Sequence, residues 1–161
     1  MTKKQITFTI NGEKHTKKVK PNKTLVNFIR NDLGLTGTNN SCDKGDCGVC
    51  TVLINGKPTK SCLVLAPEIN GKNITTIEGL QNQKQLNPVQ QAFIDHAAAQ
   101  CGFCTPAFIL TAHAFLQKNP NPTRKQTKHA IDGILCRCTG YKQIIDAIQQ
   151  AAKQYPIKTN K

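Results

Sequence analysis

The chain has 161 residues, 38% hydrophobic and 5% aromatic, with a formal net charge of +13 and eight cysteines. That length holds one ordinary domain or two small ones, and so lean a core predicts that metals, disulfides or a partner supply part of the stability. The N-terminus MTKKQITFTING carries no apolar signal-like stretch, and no run reaches the ~18 apolar residues of a membrane span. A cytoplasmic setting is therefore expected, where a disulfide framework is disfavoured.

The positive charge raises nucleic acid as a partner. Its lysines, however, are scattered over strand edges, loops and a terminal tail (Lys3, Lys14, Lys18, Lys118, Lys128, Lys153, Lys161 among them). None of the basic stretches is interleaved with stacking aromatics, so a solvated surface, or one facing an acidic partner subunit, is the expectation and nucleic acid is not.

In chain order, Ile6, Phe8 and Ile10 alternate with polar residues as a half-buried strand, and Asn11-Gly12 signals a type I′ hairpin into a polar strand near residues 15–20. Thr24 is placed to cap a short helix carrying Leu25, Phe28, Ile29 and Leu33, with Gly34 ending it. Residues 51–54 are β-rich, Asn55-Gly56 is a second hairpin signal, and residues 74–77 read as a last strand. From about Glu78 the pattern turns helical. Asn87-Pro88 opens a helix running toward Ala99, Thr105-Pro106 opens one through Phe115, Thr123 caps a third, and residues 141–155 supply a fourth with Ile144, Ile145 and Ile148 inward. The chain thus reads as α+β: a strand-rich domain over 1–78, a connector over 79–87 and a bundle of short helices over 88–161.

The cysteines fall into two sets, one per domain. The first is Cys42-x4-Cys47-x2-Cys50-x11-Cys62, the plant-type spacing for a [2Fe–2S] cluster. Gly45 and Gly48 suit a loop whose N–H groups approach the sulfurs, and such donors favour the reduced, more negative cluster. Structural zinc prefers paired knuckles and fits this crowding poorly. The second set, Cys101-x2-Cys104 with Cys136-x-Cys138, is less specific by spacing: a redox pair, a zinc knuckle and a second cluster all remain open. Helix N-termini at Thr105 and near Tyr141 would favour an anionic cluster there. Eight thiolates around two oxidised diiron cores would lower the net charge by about four. His15, His96, His113 and His129 are not needed as ligands, no paired acids mark an acid/base site, and phosphate-binding glycine motifs are lacking.

Taken together, Thr36-Gly37-Thr38, Cys42-x2-Gly45-x-Cys47-Gly48-x-Cys50-Thr51-Val52, Gly56-x4-Ser61-Cys62-Leu63, Gln100-Cys101-Gly102-Phe103-Cys104-Thr105-Pro106 and Leu135-Cys136-Arg137-Cys138-Thr139-Gly140-Tyr141 resemble the small iron–sulfur subunit of the molybdenum hydroxylases. These include the xanthine dehydrogenases, aldehyde oxidoreductases and carbon monoxide dehydrogenases. The resemblance implies a β-grasp ferredoxin-like domain and a four-helix bundle, each with one [2Fe–2S] cluster. It implies an electron-relay subunit with no catalytic residue of its own. By the same resemblance, electrons would pass from molybdopterin on a large subunit through Cys101, Cys104, Cys136 and Cys138, then Cys42, Cys47, Cys50 and Cys62, to FAD on a medium subunit. Gln100 and Cys138 are implied to contact the pterin, and the assembly implied is a heterotrimer or a dimer of heterotrimers. Asn39, Ser41, Ala107 and Ile134 depart from the usual pattern without removing a ligand; Ile134 replaces an asparagine that would help order the Cys136 loop. The alternatives are a free-standing two-cluster carrier and a zinc-stapled module.

Overall fold

The computed structural model describes residues 2–81 and 85–155. Residues 82–84 of the expected connector, and 156–161 with Lys158 and Lys161, lie outside the described residues. Strands and helices segregate along the chain. Strands β1 (Lys4–Ile10), β2 (Glu13–Val19), β3 (Thr51–Ile54), β4 (Lys57–Lys60) and β5 (Asn73–Thr75), with helix α1 (Leu25–Asn31), come first. Helices α2 (Pro88–Asp95), α3 (Thr105–Lys118), α4 (Arg124–Ile131) and α5 (Lys142–Ala152) follow.

The two hairpin signals form as read. Asn11 and Gly12 have φ of 51° and 88°, and Asn55 and Gly56 have 49° and 74°, the positive pairs that a type I′ turn requires. The sheet order is β2-β1-β5-β3-β4. Strand β5 inserts between the hairpins, parallel to β1 and antiparallel to β3. Ile6, Phe8 and Ile10 pack with Leu25, Phe28 and Ile29 of α1 in one core, and the Phe8 and Phe28 rings meet edge to face at 5.6 Å.

Thr24 has cap-like backbone angles but makes no side-chain cap. It pairs instead with Leu65 in an isolated bridge, and the Leu25 N–H donates to Val64 O at 2.7 Å, so backbone satisfies one of the orphan donors of the first turn. Helix α1 ends at Asn31, leaving Leu33 in the turn before Gly34. Strand β5 stops at Thr75, and Ile77–Leu80 forms a 3₁₀ turn.

Helix α2 starts as read: Asn87 Oδ1 accepts from Val89 N at 3.0 Å and the Asn87 backbone N–H donates to Gln90 Oε1 at 2.9 Å. It ends at Asp95, short of Ala99, because Ala97 turns to φ 47° and begins the approach to Cys101. Thr123 caps α4, with Thr123 Oγ1 accepting from Gln126 N at 3.2 Å. The four helices share a core of Phe93, Phe108, Leu116, Ile131, Ile144 and Ile148.

The sheet and helices are not independent. All four residues of β3 are buried: Val52 and Ile54 face the α1 core, while Leu53 packs on Leu110 and Ala114 of α3. Burial of each such leucine contributes about 1.5–3 kcal/mol. Leu110→Ala should therefore cost about 2–5 kcal/mol, measured as a lowered denaturation midpoint. Combined with Leu53→Ala the loss should be less than additive, since the two changes open one shared contact.

Candidate metal centres

Residues 36–50 form an irregular loop between α1 and β3, fixed from outside. Arg30 Nη1 donates to Thr36 O and Thr38 O, each at 2.7 Å, and Gly37 N donates to Glu78 Oε1 at 2.8 Å. Gly45 and Gly48 stand at φ +83° and +69°. The Cys47 N–H reaches Cys42 Sγ at 3.4 Å. Amides of Cys47 and Lys44, then the Cys47 thiol, hold the Cys42 pKa down to about 6. Cys50 and Cys62 are buried beside Val26. Cys50 O accepts from both Ser61 N (3.3 Å) and Ser61 Oγ (2.6 Å), which pins the turn carrying Cys62. Burial, then the Cys50 thiol, pushes Cys62 up to about 11.

The second set closes from two loops, one preceding α3 and one preceding α5. Cys101 Sγ and Cys138 Sγ lie 3.6 Å apart, both exposed. Burial and the neighbouring Cys136 thiol push Cys104 up to about 12. For Cys136, burial acts to raise the pKa, and hydrogen bonds from the Thr139 hydroxyl and amide outweigh it to lower it; Cys136 Sγ and Thr139 Oγ1 are 3.2 Å apart. Tyr141, at φ 67°, orders this loop: its oxygen accepts from Cys136 N at 3.0 Å and its hydroxyl donates to Ile134 O at 3.3 Å. Gln100 is exposed next to Cys101.

A cavity of about 310 Å³ is lined by Cys47 together with Cys101, Cys104, Cys136 and Cys138. A larger one, about 470 Å³, opens beside Pro122 and Asp146 and has no cysteine in its wall, so size does not mark the site. Among the described residues no three His, Cys, Asp or Glu side chains close on a point suited to a single metal ion. The cysteines instead come together in pairs: the Cys47 N–H meets Cys42 Sγ, Cys50 and Cys62 are buried together, Cys101 and Cys138 bring their sulfurs to 3.6 Å, and Cys104 and Cys136 line one cavity. A two-iron core takes two ligands on each iron. Amides aimed at Cys42 and Cys136, and room among the second four thiols, fit such anionic cores.

The two cysteine loops touch. Leu135 N donates to Cys47 O at 2.9 Å, Asn39 Nδ2 donates to Phe103 O at 2.7 Å, and Val49 enters the helical core. Gly48 lies so close to the Gly133 carbonyl that a Cβ there would stand 2.1 Å from its oxygen.

Two family models match in series: a 2Fe-2S iron-sulfur cluster binding domain over residues 8–75 and a [2Fe-2S] binding domain over residues 76–149. The nicotinate dehydrogenase small FeS subunit of Eubacterium barkeri is 42% identical over 154 residues, covering 96% of this chain and 98% of that one. Among solved structures, a chain of quinoline 2-oxidoreductase from Pseudomonas putida 86 is similar with a TM-score of 0.93 and 43% identity, over 96% and 97% of the two chains. The chain belongs to the small iron–sulfur subunits of the molybdenum hydroxylases. The aldehyde oxidoreductase of Desulfovibrio desulfuricans ATCC 27774 carries a similar unit within a longer chain: TM-score 0.90, 40% identity, covering 94% of this chain and 17% of that one.

As a small iron–sulfur subunit of this family, the chain carries two 2Fe-2S binding domains. Its departures from the usual pattern find physical places. Asn39 bridges the two cysteine loops. Ala107 and Ile134 are buried in the helical core, and the ordering of the Cys136 loop falls to the Tyr141 hydroxyl. Ser41 is exposed at the mouth of the cavity. The histidines take other contacts: His15 stacks on Phe8, His129 meets Asp132 at 3.1 Å, and His113 meets the Tyr155 hydroxyl at 2.8 Å, its pKa lowered by burial. Sequence reasoning missed Gly133 and Lys60, which no local pattern singles out, and the role of the Tyr141 hydroxyl.

Gly48→Ala and Gly56→Ala both incur about 1–2 kcal/mol of left-handed strain, but only Gly48 faces a carbonyl; Gly56 has open space. Iron and sulfide analysis should find Gly48→Ala depleted and Gly56→Ala fully loaded. Tyr141→Phe leaves the Cys136 amide without its acceptor and should cost about 1–3 kcal/mol, read as faster release of iron to a chelator from the second domain.

Proposed function

We propose that this chain is the electron-relay subunit of a molybdenum-containing hydroxylase or dehydrogenase acting in the cytoplasm. The carrying observation is the pairwise approach of two cysteine quartets whose loops are joined by the Leu135 N to Cys47 O hydrogen bond. On this reading Cys42, Cys47, Cys50 and Cys62 hold one [2Fe–2S] cluster, with Cys42 and Cys47 on one iron and Cys50 and Cys62 on the other. Cys101 with Cys138, and Cys104 with Cys136, hold the second. Each cluster when bound accepts and donates one electron at a time. The domains run over 1–78 as a β-grasp ferredoxin-like unit and 88–161 as a four-helix bundle, joined by 79–87.

Within that frame the protein positions its sulfurs and tunes them, the levers a polypeptide has over a metal group. Exposed Cys101 and Cys138, with Gln100 beside them, present the second site to a molybdopterin-bearing large subunit. Phe103 and Leu135, 45% and 49% exposed, supply apolar surface for that contact. Leu135 is covalently next to Cys136, so the hydrogen bond to Cys47 O connects the two quartets through few bonds. The Cys62 turn then faces an FAD-bearing medium subunit, completing a heterotrimer that can pair into a dimer of heterotrimers. The nicotinate dehydrogenase and quinoline 2-oxidoreductase relatives support a complex of this class.

Low-temperature electron paramagnetic resonance of the reduced protein should show two distinguishable signals. Cys50→Ser should remove one and Cys104→Ser the other, with loss of substrate-dependent dye reduction in the assembled complex. Both signals persisting in both variants, or stoichiometric zinc in a colourless protein, overturns the reading. Full electron transfer to many unrelated acceptors without co-purifying subunits favours a free-standing carrier instead.

A further inference from the structure

Lys60 is the last residue of β4, opposite Thr51 of β3 and two positions before Cys62. Its side chain turns into the first cysteine loop, where Nζ donates to Gly45 O at 2.6 Å. The residue is half-buried, and among the described residues it forms no ion pair with a carboxylate. A partly desolvated ammonium without a counter-charge is costly. The loop it enters carries Cys42 and Cys47 within three residues of Gly45.

The bond to Gly45 O has a specific consequence. That oxygen belongs to the peptide whose N–H is Asp46's, in the loop between Cys42 and Cys47, where the Cys47 N–H meets Cys42 Sγ at 3.4 Å. A cation on a carbonyl polarises the same peptide's N–H, and linked hydrogen bonds strengthen one another. Lys60 thus acts on the first cysteine loop through one of its own peptide units, and its charge acts directly across the loop. Its stem also passes the second loop, with Lys60 Cε 4.0 Å from where a Gly133 Cβ would stand.

We propose that Lys60 is a positioning residue that raises the reduction potential of the first cluster, by seating its ammonium on the Gly45 carbonyl inside the loop between Cys42 and Cys47. The inference rests on the reading that Cys42, Cys47, Cys50 and Cys62 hold a [2Fe–2S] cluster. Reduction adds one negative charge to that group, and a fixed nearby cation favours the more negative state. Half-burial weakens the screening that would cancel an exposed lysine.

The test is a potentiometric titration of the complex, following each cluster's paramagnetic signal separately. Lys60→Met removes the charge at similar volume. Lys60→Gln removes the charge but keeps a donor, and stands in should Lys60→Met fail to fold. Lys60→Arg keeps the charge, and Lys57→Met removes a charge from the exposed start of the same strand. The expected result is a shift of the first signal to lower potential in both neutral variants, a smaller shift of the second signal, restoration in Lys60→Arg and no shift in Lys57→Met. Unchanged potentials in a neutral variant with both signals intact overturn the role of Lys60 and leave the cluster assignment standing. A shift of equal size in Lys57→Met also overturns it, because any lysine would then serve. A parent complex lacking the first signal overturns the cluster assignment, and this inference with it.

Discussion

Everything in this molecule depends on turning backbone N–H groups toward sulfur. Helices and strands spend their amides on their own ladders, so an anionic group can be surrounded only by a loop whose successive residues alternate between right- and left-handed backbone, a nest. Gly45 and Gly48 take that left-handed geometry in the first loop, and Tyr141 takes it beside the second. Such loops have little apolar content of their own. They cannot be self-supporting, and the rest of the chain acts as their frame.

The frame is built from contacts that lie far apart in sequence. Arg30 at the end of α1 gathers two carbonyls of the first loop, and Glu78 holds Gly37 from the other end of the domain. The loops then lock each other: Gly48 lies on Gly133, Leu135 bonds Cys47, and Asn39 bonds Phe103. Leu53 on Leu110 and Ala114 holds the sheet against α3 and so fixes the distance over which those loop contacts operate. Packed interiors of this density transmit displacement rather than absorb it, so a change at β3 reaches both cysteine quartets.

How much of this the sequence reveals follows from range. Features encoded within a few residues are legible: the two hairpins with paired positive φ, the Asn87 and Thr123 caps, the ferredoxin spacing of the first cysteines. The second quartet is not legible from spacing alone, since Cys101-x2-Cys104 serves redox, zinc and cluster chemistry alike; the surrounding motif residues resolve it by resemblance. Illegible features are those set by tertiary partners. Thr24 looks like a cap, but the Leu65 bridge takes its place. The alanines after His96 favour helix, yet Ala97 leaves it because the chain must turn toward Cys101. Leu53 alternates like a residue on a solvent face and is buried by a leucine 57 positions on, and Lys60 reads as one more surface cation among many.

On the proposed reading, the unequal exposure of the two quartets gives the chain a direction. Cys50 and Cys62 are buried within the strand-rich half, whereas Cys101 and Cys138 open to solvent beside Phe103 and Leu135. Charge exchange with an exposed group must compete with water, whose dipoles reorganise around each added electron, while a covered group is surrounded by fixed dipoles that need not move. On the proposed reading the open second quartet is an unfinished site, and a large subunit that covers Phe103 and Leu135 both docks on apolar surface and dries the entry point. The first quartet is less open because Cys50 and Cys62 are already buried. On the proposed reading, assembly then tunes the entry site through a neighbour, while the second stop is tuned by this chain's own amides and by the lysine behind them.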